Sequence, residues 1–298
     1  MRVKKVSRVI HLVMREIASI GDKIESRSNI SMTTQLRWWN CRSYLLNSKV
    51  RASYSGKTPS NRPYFSVTND VTGGSFYFGD LIRGRSLFKG VLSLANNLAN
   101  GYGLKEIKFQ DGDLAIDVGA NFGLMKLYLD YCLPDVEIDY LGIEPGPDEF
   151  FFLENNISGV RAKCLNIAIS DSVGPQAFYY SPAGADSSLH QPPNVIAVLE
   201  TQCATLDLIL NTEPYGNRRV KILKIDAEGS EFEVLKGSSN SLSRIDYIAV
   251  DLGFEKGIKQ ESPAPECIEF LLSNGFCIQA VTLPHSIRIL FRNRTIAK

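Results

Sequence analysis

Leu114-Ala-Ile-Asp-Val-Gly-Ala-Asn-Phe-Gly123 is the stretch that decides the fold. Leu114 to Val118 is a short apolar run with one acid inside it, and it breaks at a turn carrying Gly119 and Gly123. Leu124 to Cys132 then continues with helical spacing. That pattern is a buried strand feeding a helix through a tight turn. Glycines in such a turn remove Cβ atoms where the backbone must bend and approach a ligand.

The same alternation extends outward to the C-terminus. Ile138 to Glu144 reads as a strand, and Asp148 to Asn156 as a helix opened by Gly146-Pro147 with acids in its first turn. Ala162 to Ile169, Val220 to Asp226 and Ile245 to Asp251 read as strands. Glu231 to Lys236 and Pro265 to Asn274 read as helices, each closed by a glycine, and Phe276 to Val281 and Ile287 to Phe291 as final strands. Strands alternating with helices predict βαβ units and a doubly wound, mostly parallel α/β sheet over residues 105–298. Residues 50–75 are rich in Ser, Gly, Pro, Asn and Thr and predict a loop or linker. Ser75 to Phe78 and Leu87 to Leu98 form a strand and helix within a lead-in segment, 63–104.

Four predicted strands end in an acid: Asp117, Glu144, Asp226 and Asp251. Open parallel sheets bind ligands outside the carboxyl ends of their strands. A buried carboxylate with no partner is costly, so four such acids point to one polar site. Glu144 lies 25 residues after Gly119, one βαβ half-unit, where an acid accepts both hydroxyls of an adenosine ribose. Nicotinamide cofactors share that geometry. Two details turn the reading toward S-adenosylmethionine. The central glycine of the dinucleotide fingerprint is replaced by Asn121. Asp117 would repel a pyrophosphate but suits an ammonium group, directly or through water.

The composition is that of a chain with a real core: 298 residues, 44% hydrophobic and 22% charged, with a net charge of +1. The charge is unevenly placed. Residues 1–62 carry 13 basic and 3 acidic side chains, a net of +10, and the remainder carries a net of −9. An acidic body argues against a nucleic-acid partner. Within the basic N-terminal extension, Val6, Val9, Ile10, Val13, Ile17 and Ile20 follow helical spacing. Such a helix can rest on an anionic membrane surface or pack on protein. Charged residues interrupt any secretory signal, and no run is long enough for a membrane span. The six cysteines lack metal-ligand spacing and read as small hydrophobes, which suits a cytoplasmic, reducing location.

The chain resembles the FkbM family of methyltransferases. The resemblance rests on Asp117-Val-Gly-Ala-Asn-Phe-Gly123, Gly142-Ile-Glu-Pro145 and Asn166-Ile-Ala-Ile-Ser-Asp171. It rests above all on Leu223-Lys-Ile-Asp-Ala-Glu-Gly-Ser-Glu231, followed by Val234-Leu-Lys-Gly237, and covers about residues 85–292. It implies a Rossmann-like class I methyltransferase fold of seven strands, the last antiparallel, and O-methylation of sugar or natural-product hydroxyls. It places Asp117, Gly119, Asn121 and Gly123 around the methionine part of S-adenosylmethionine and Glu144 on the ribose. It places Ala168, Ser170 and Asp171 near the adenine. Asp226, Glu228 and Glu231 would face the methyl group and a small-molecule or glycan acceptor. The chain departs from the family at Asp251, where Glu is common; Asp251 is kept as an acceptor-side residue.

A sugar hydroxyl is a poor nucleophile, so a base should take its proton as the new bond forms. Asp226 helped by Glu228 is the first candidate, and His190, in a loop after Ala177 to Tyr180, is the second. His11 and His285 rank below them. Tyr179 and Tyr180 are candidates for stacking on a sugar face. Asp226, Glu228 and Asp251 also offer hard oxygen ligands for Mg2+, but the metal-free reading is preferred. The competing readings are a non-catalytic interaction protein that keeps the cofactor fold and a nicotinamide-dependent oxidoreductase. Oligomeric state is not legible.

Overall fold

The computed structural model describes residues 31–46, 48, 50–69, 73–157, 159–181, 187–216, 218–283 and 287–295. The expected helix over residues 1–20, and His11 and His285, lie outside the described residues. Two compact units divide between Leu94 and Ala95.

In the first unit, helix α1 (Met32–Leu45) starts at Ser31, whose side chain accepts from the Thr34 N–H. Strands β1 (Ala52–Lys57), β2 (Pro63–Thr68) and β3 (Ser75–Phe78) form an antiparallel sheet. This corrects the reading of 50–75 as linker. Phe65 and Val67 alternate inward from β2, and Phe76 and Phe78 from β3. They join Trp39 of α1, which is 2% exposed, in a small core. The Ser, Pro and Asn content belongs to the β1–β2 turn, closed by Thr58 N–H to Arg62 O at 2.8 Å. Asn40 locks α1 to β1 by exchanging two hydrogen bonds with Ala52 at 2.9 and 3.0 Å.

Helix α2 (Val91–Gly101) leads into the second unit, where the predicted alternation is present. Its elements are β4 (Leu114–Val118), α3 (Leu124–Cys132), β5 (Asp139–Ile143), α4 (Pro147–Asn156) and β6 (Ala162–Leu165). Then come β7 (Ala168–Ile169), β8 (Gly174–Tyr180), β9 (Ala197–Ala204), α5 (Leu206–Leu210), β10 (Val220–Ile225) and α6 (Glu231–Lys236). The last are β11 (Ile245–Asp251), α7 (Ala264–Ser273), β12 (Phe276–Thr282) and β13 (Arg288–Asn293).

The seven-stranded sheet has the order β12-β13-β11-β10-β4-β5-β6. All neighbours from β6 to β11 are parallel, and β13 inserts antiparallel between β11 and β12. This is the class I methyltransferase sheet that the resemblance implies. Its central strands are buried throughout, and Ile116, Leu141, Leu223, Ile225 and Val250 anchor one apolar core. From β4 the chain winds outward through β5 and β6, then returns to β10 on the other side. The crevice at that switch point, outside the carboxyl ends of β4 and β10, is where such sheets take ligands.

The expected single strand over 162–169 is two. The chain leaves the main sheet at Leu165 and enters a second, three-stranded sheet, β7-β9-β8, at Ala168. Cys203 and Cys267 are buried as expected, whereas Cys41 is exposed and Cys132, Cys164 and Cys277 are half-buried. No described helix is long and apolar enough to cross a membrane.

Candidate active site

The site is built on a buried ion pair. Lys224 of β10 lies in register with Asp117 of β4, so the two side chains are neighbours on one face of the sheet. Lys224 Nζ donates to Asp117 Oδ1 at 2.8 Å, with both side chains at most 2% exposed. Tyr140 donates its hydroxyl to the other Asp117 oxygen at 2.8 Å. Its ring reaches there over Gly142, where a Cβ would stand 2.9 Å from the ring edge. Burial pushes the Asp117 carboxyl up, opposed by Lys224 and Tyr140. Burial alone would pull the Lys224 ammonium down, but Asp117 and Asp226 hold it above its ordinary value.

Lys224 also donates to the carbonyl of Gly119 at 3.0 Å and lies over the Tyr102 ring, 5.1 Å from its centroid. Tyr102 gives its hydroxyl to Asp226 at 2.6 Å and stands 3.4 Å from Asp251. Arg288 of β13 donates to Asp251 Oδ2 at 2.7 Å, and Gly253 N–H to Oδ1 at 3.0 Å. Three of the four strand-end acids, Asp117, Asp226 and Asp251, therefore share one polar network through Lys224 and Tyr102, and Glu144 stands apart from it.

The first turn carries Gly119 at φ 71° and Asn121 at φ 48°. A Cβ on Gly119 would fall 1.8 Å from the carbonyl oxygen of Asp226, so only glycine lets the two strand-end loops touch. Asn121 N–H donates to Glu144 Oε2 at 3.0 Å, and Gly146 N–H to Oε1 at 2.9 Å. Burial and the neighbouring Glu149 nevertheless push the Glu144 carboxyl up to about 8.

A solvent-open cleft of about 610 Å3 lies above these strand ends. Glu144, Pro145 and Glu149 line one end, Ile143, Ile167, Ala168, Ile169 and Phe178 the walls, and Asp226, Ala227 and Glu228 the other end. Gly119 and Asn121 form the floor. Asn121 Oδ1 is buried there without a hydrogen-bond partner. The donors and acceptors fit an adenosyl amino acid: a carboxylate already oriented by two N–H groups, an unpaired amide oxygen, apolar walls, and no Lys or Arg where a pyrophosphate would lie.

Several predicted residues fall elsewhere. Asp117 sits beneath the floor, with both oxygens engaged. Gly123 opens α3 and packs on Ile157. Of the adenine candidates only Ala168 lines the cleft. Ser170 is buried beside Asp171, which forms an ion pair with Lys236. Ile167, Ile169 and Phe178 were missed; the first two lie within the same 166–171 string.

Glu231 does not line the cleft. Its Oε1 takes the N–H groups of Ala227 at 2.8 Å and Gly229 at 3.1 Å, clamping the turn after β10, and burial pushes its carboxyl up to about 7. Asp251 is held by Arg288 and Gly253 and lies neither on the cleft nor in the cluster of close carboxylates. His190 Nε2 stands 3.5 Å from Glu233 and the residue does not line the cleft. Burial would raise Glu233, but His190 and Lys256 hold it at about 2. Tyr180 is buried, with its hydroxyl on Asp148 and Glu149, and is not a stacking platform.

Glu255, which sequence reasoning missed, takes the place expected of Asp251. Asp226, Glu228 and Glu255 each bring one carboxylate oxygen within 4.8 Å of the others. Burial, then Asp251, Asp226 and Glu231, push the Glu255 carboxyl up to about 8, with Arg288 opposing. Its only signal was its position four residues past Asp251, in the loop that leaves β11.

A family model described as Methyltransferase FkbM domain matches residues 117–278. Methyltransferase 1 of Beauveria bassiana is 30% identical over 171 residues, covering 50% of this chain and 68% of that protein. Hexuronic acid methyltransferase AglP of Haloferax volcanii is 27% identical over 146 residues, covering 48% of this chain and 57% of its own length, so the matched part spans little more than half of that relative. The solved methyltransferase FkbM from Methylobacillus flagellatus superposes with a TM-score of 0.44 at 16% identity, over 62% of this chain and 44% of that one.

Two outcomes test the network. Lys224→Met leaves Asp117 buried without its cation, so denaturant melts should show a loss of about 3–5 kcal/mol. The loss should shrink in an Asp117→Asn background; equal losses in both backgrounds would remove the pair as its cause. Glu231→Gln keeps an acceptor for both N–H groups and deletes the charge. Glu231 ionises near its usual value when unfolded but at about 7 when folded, so the native state holds more protons between those values. Stability should therefore fall as pH rises through that window. The melting temperature of the unmodified protein should drop more steeply than that of the variant from about pH 5 to about 7.5.

Proposed function

The chain belongs to the FkbM family of methyltransferase domains, and from that premise we propose that it is an S-adenosylmethionine-dependent O-methyltransferase acting on a hydroxyl of a sugar, glycan or natural product. The observation that carries the proposal is the cleft itself. At one end stands a buried carboxylate oriented by two backbone N–H groups, at the other a cluster of three carboxylates, with a glycine-opened floor between them. The hexuronic acid in the name of AglP lends the sugar class its support.

Glu144 would hold the ribose hydroxyls with its remaining lone pairs, Asn121 Oδ1 the ammonium group, and Ile167 to Ile169 with Phe178 the adenine. When bound, the cofactor supplies an electrophilic methyl group on a sulfonium. The protein's part is position and electrostatics. Asp226, fixed by Tyr102, and Glu228, fixed through its carbonyl by Ser188 at 2.7 Å, would orient the acceptor hydroxyl. Glu255 is best poised to take its proton, because a carboxyl at about 8 titrates near working pH. His190 would at most orient the loop carrying Ser188, through Glu233.

Calorimetric titration with S-adenosylhomocysteine tests the cofactor. The protein should bind it, and Glu144→Ala and Asn121→Ala should each weaken binding by roughly tenfold or more. Ribose hydroxyls select the ionised Glu144, so binding should release a proton and tighten as pH rises through about 8. Glu144→Gln should abolish that slope. A well-folded protein that binds no S-adenosylhomocysteine would refute the proposal.

A further inference from the structure

A second cavity, open to solvent, meets the cofactor cleft at Glu228. Ser181, Pro192, Pro193, Asn194, Glu255 and Gln260 complete its wall. We infer that this cavity is the acceptor pocket and that it selects a neutral, hydroxyl-rich acceptor, a sugar or polyol without a carboxylate, over the matching uronate. The inference rests on the cofactor lying in the first cleft.

Position is the first argument. Glu228 belongs to both cavities, so a hydroxyl presented beside it from the second is at the acid end of the first. Ser188 and Ser187 build the partition: Ser188 Oγ donates to Glu228 O at 2.7 Å, and Ser181 N–H donates to Ser187 Oγ at 3.0 Å.

Chemistry is the second. Serine, asparagine and glutamine offer neutral donors and acceptors, and proline offers an apolar surface, which together suit the hydroxyl edges and C–H face of a sugar ring. No described residue lining either cavity is Lys, Arg or His. Cations on the neighbouring loop and strand face acids of their own. Lys256 reaches Glu233 at 3.2 Å and Glu266 at 3.9 Å, Lys259 reaches Glu261 at 4.0 Å, and Arg288 holds Asp251 at 2.7 Å. A uronate would meet Glu228, with Asp226 behind it, and Glu255, whose charge is added as pH rises through about 8, and like charges brought together in a partly dry pocket are strongly disfavoured.

Backbone strain is the third. Glu228 at φ 50° and Gln260 at φ 51° hold side chains in a region that favours glycine. Both line this cavity. Keeping long polar side chains there, where glycine would be unstrained, marks positions at which the side chain is needed.

The test uses the full chain saturated with S-adenosylhomocysteine. The gluco, galacto and manno methyl hexosides and their matching methyl hexuronosides are titrated at about pH 9, where Glu255 is ionised, and followed by saturation-transfer NMR. At least one neutral hexoside should bind roughly tenfold or more tightly than its uronate. Glu255→Gln should reduce that ratio several-fold, whatever it does to each affinity alone. Uronates that bind as well as the hexosides, a ratio unmoved by Glu255→Gln, or no binding of any hexoside to the S-adenosylhomocysteine complex would overturn the inference. Failure of S-adenosylhomocysteine itself to bind would be seen first, and would overturn the cofactor reading and this inference together.

Discussion

The Asp117–Lys224 pair is the constraint on which the rest of the site depends. A lysine in the middle of a central parallel strand has no route to water, and its desolvation is offset only by fixed partners. It has four: a carboxylate in register on β4, the Asp226 carboxylate at 3.6 Å, the Gly119 carbonyl, and the face of Tyr102. Each partner lies at or next to a strand end that builds the cleft. Slipping β10 against β4 by one residue would turn Lys224 to the opposite face and strand Asp117. The pair thus ties the register of the switch point to the position of the ligand turn.

The carboxylates divide by what holds them. Asp117 and Asp251 are neutralised by cations and work as scaffold. Glu144 and Glu231 are held by backbone N–H groups, so each fixes a loop: Glu231 the turn after β10, Glu144 the turn after β4. The acids left to line the cleft and the cavity beside it are Asp226, Glu228 and Glu255. Similar side chains at similar topological positions acquire different tasks from their neighbours, as pairs of carboxyl groups with divergent environments do in active sites generally.

This division explains what was legible in the sequence. Buried parallel strands write continuous apolar runs, so β4, β10 and β11 and their terminal acids stood out. Gly119, Asn121, Glu144 and Asp226 lie on the cleft because their places follow from local strand-and-turn rules, whereas Ala168 and Glu228, also on it, were legible through the family resemblance. Asp251 and Glu231 were misplaced because their partners were not local knowledge. Arg288 comes from β13, paired with β11 across 37 residues of sequence. Glu231 bends back onto N–H groups that a linear reading assigns to the helix start. β1 and β2 were hidden by the turn residues between them, and β7 by its continuity with β6, since a change of sheet leaves no mark in hydrophobic pattern.

Preorganisation of the acid end comes from outside the main sheet. The turn Asp226 to Ser230 is strained at Glu228 and would relax if free. It is held from below by Glu231 and from the side by Ser188, a residue of the loop that folds back onto β8 through Tyr179 N–H to Ser188 O at 2.8 Å and the reciprocal bond at 3.1 Å. The second sheet therefore does two jobs with one chain segment: β7 and Phe178 of β8 supply apolar walls of the cleft, and the loop after β8 fixes Glu228 at its acid end. A change that loosens β8 from that loop should disturb the walls and the acid end together, because both depend on the one strand rather than on a direct contact.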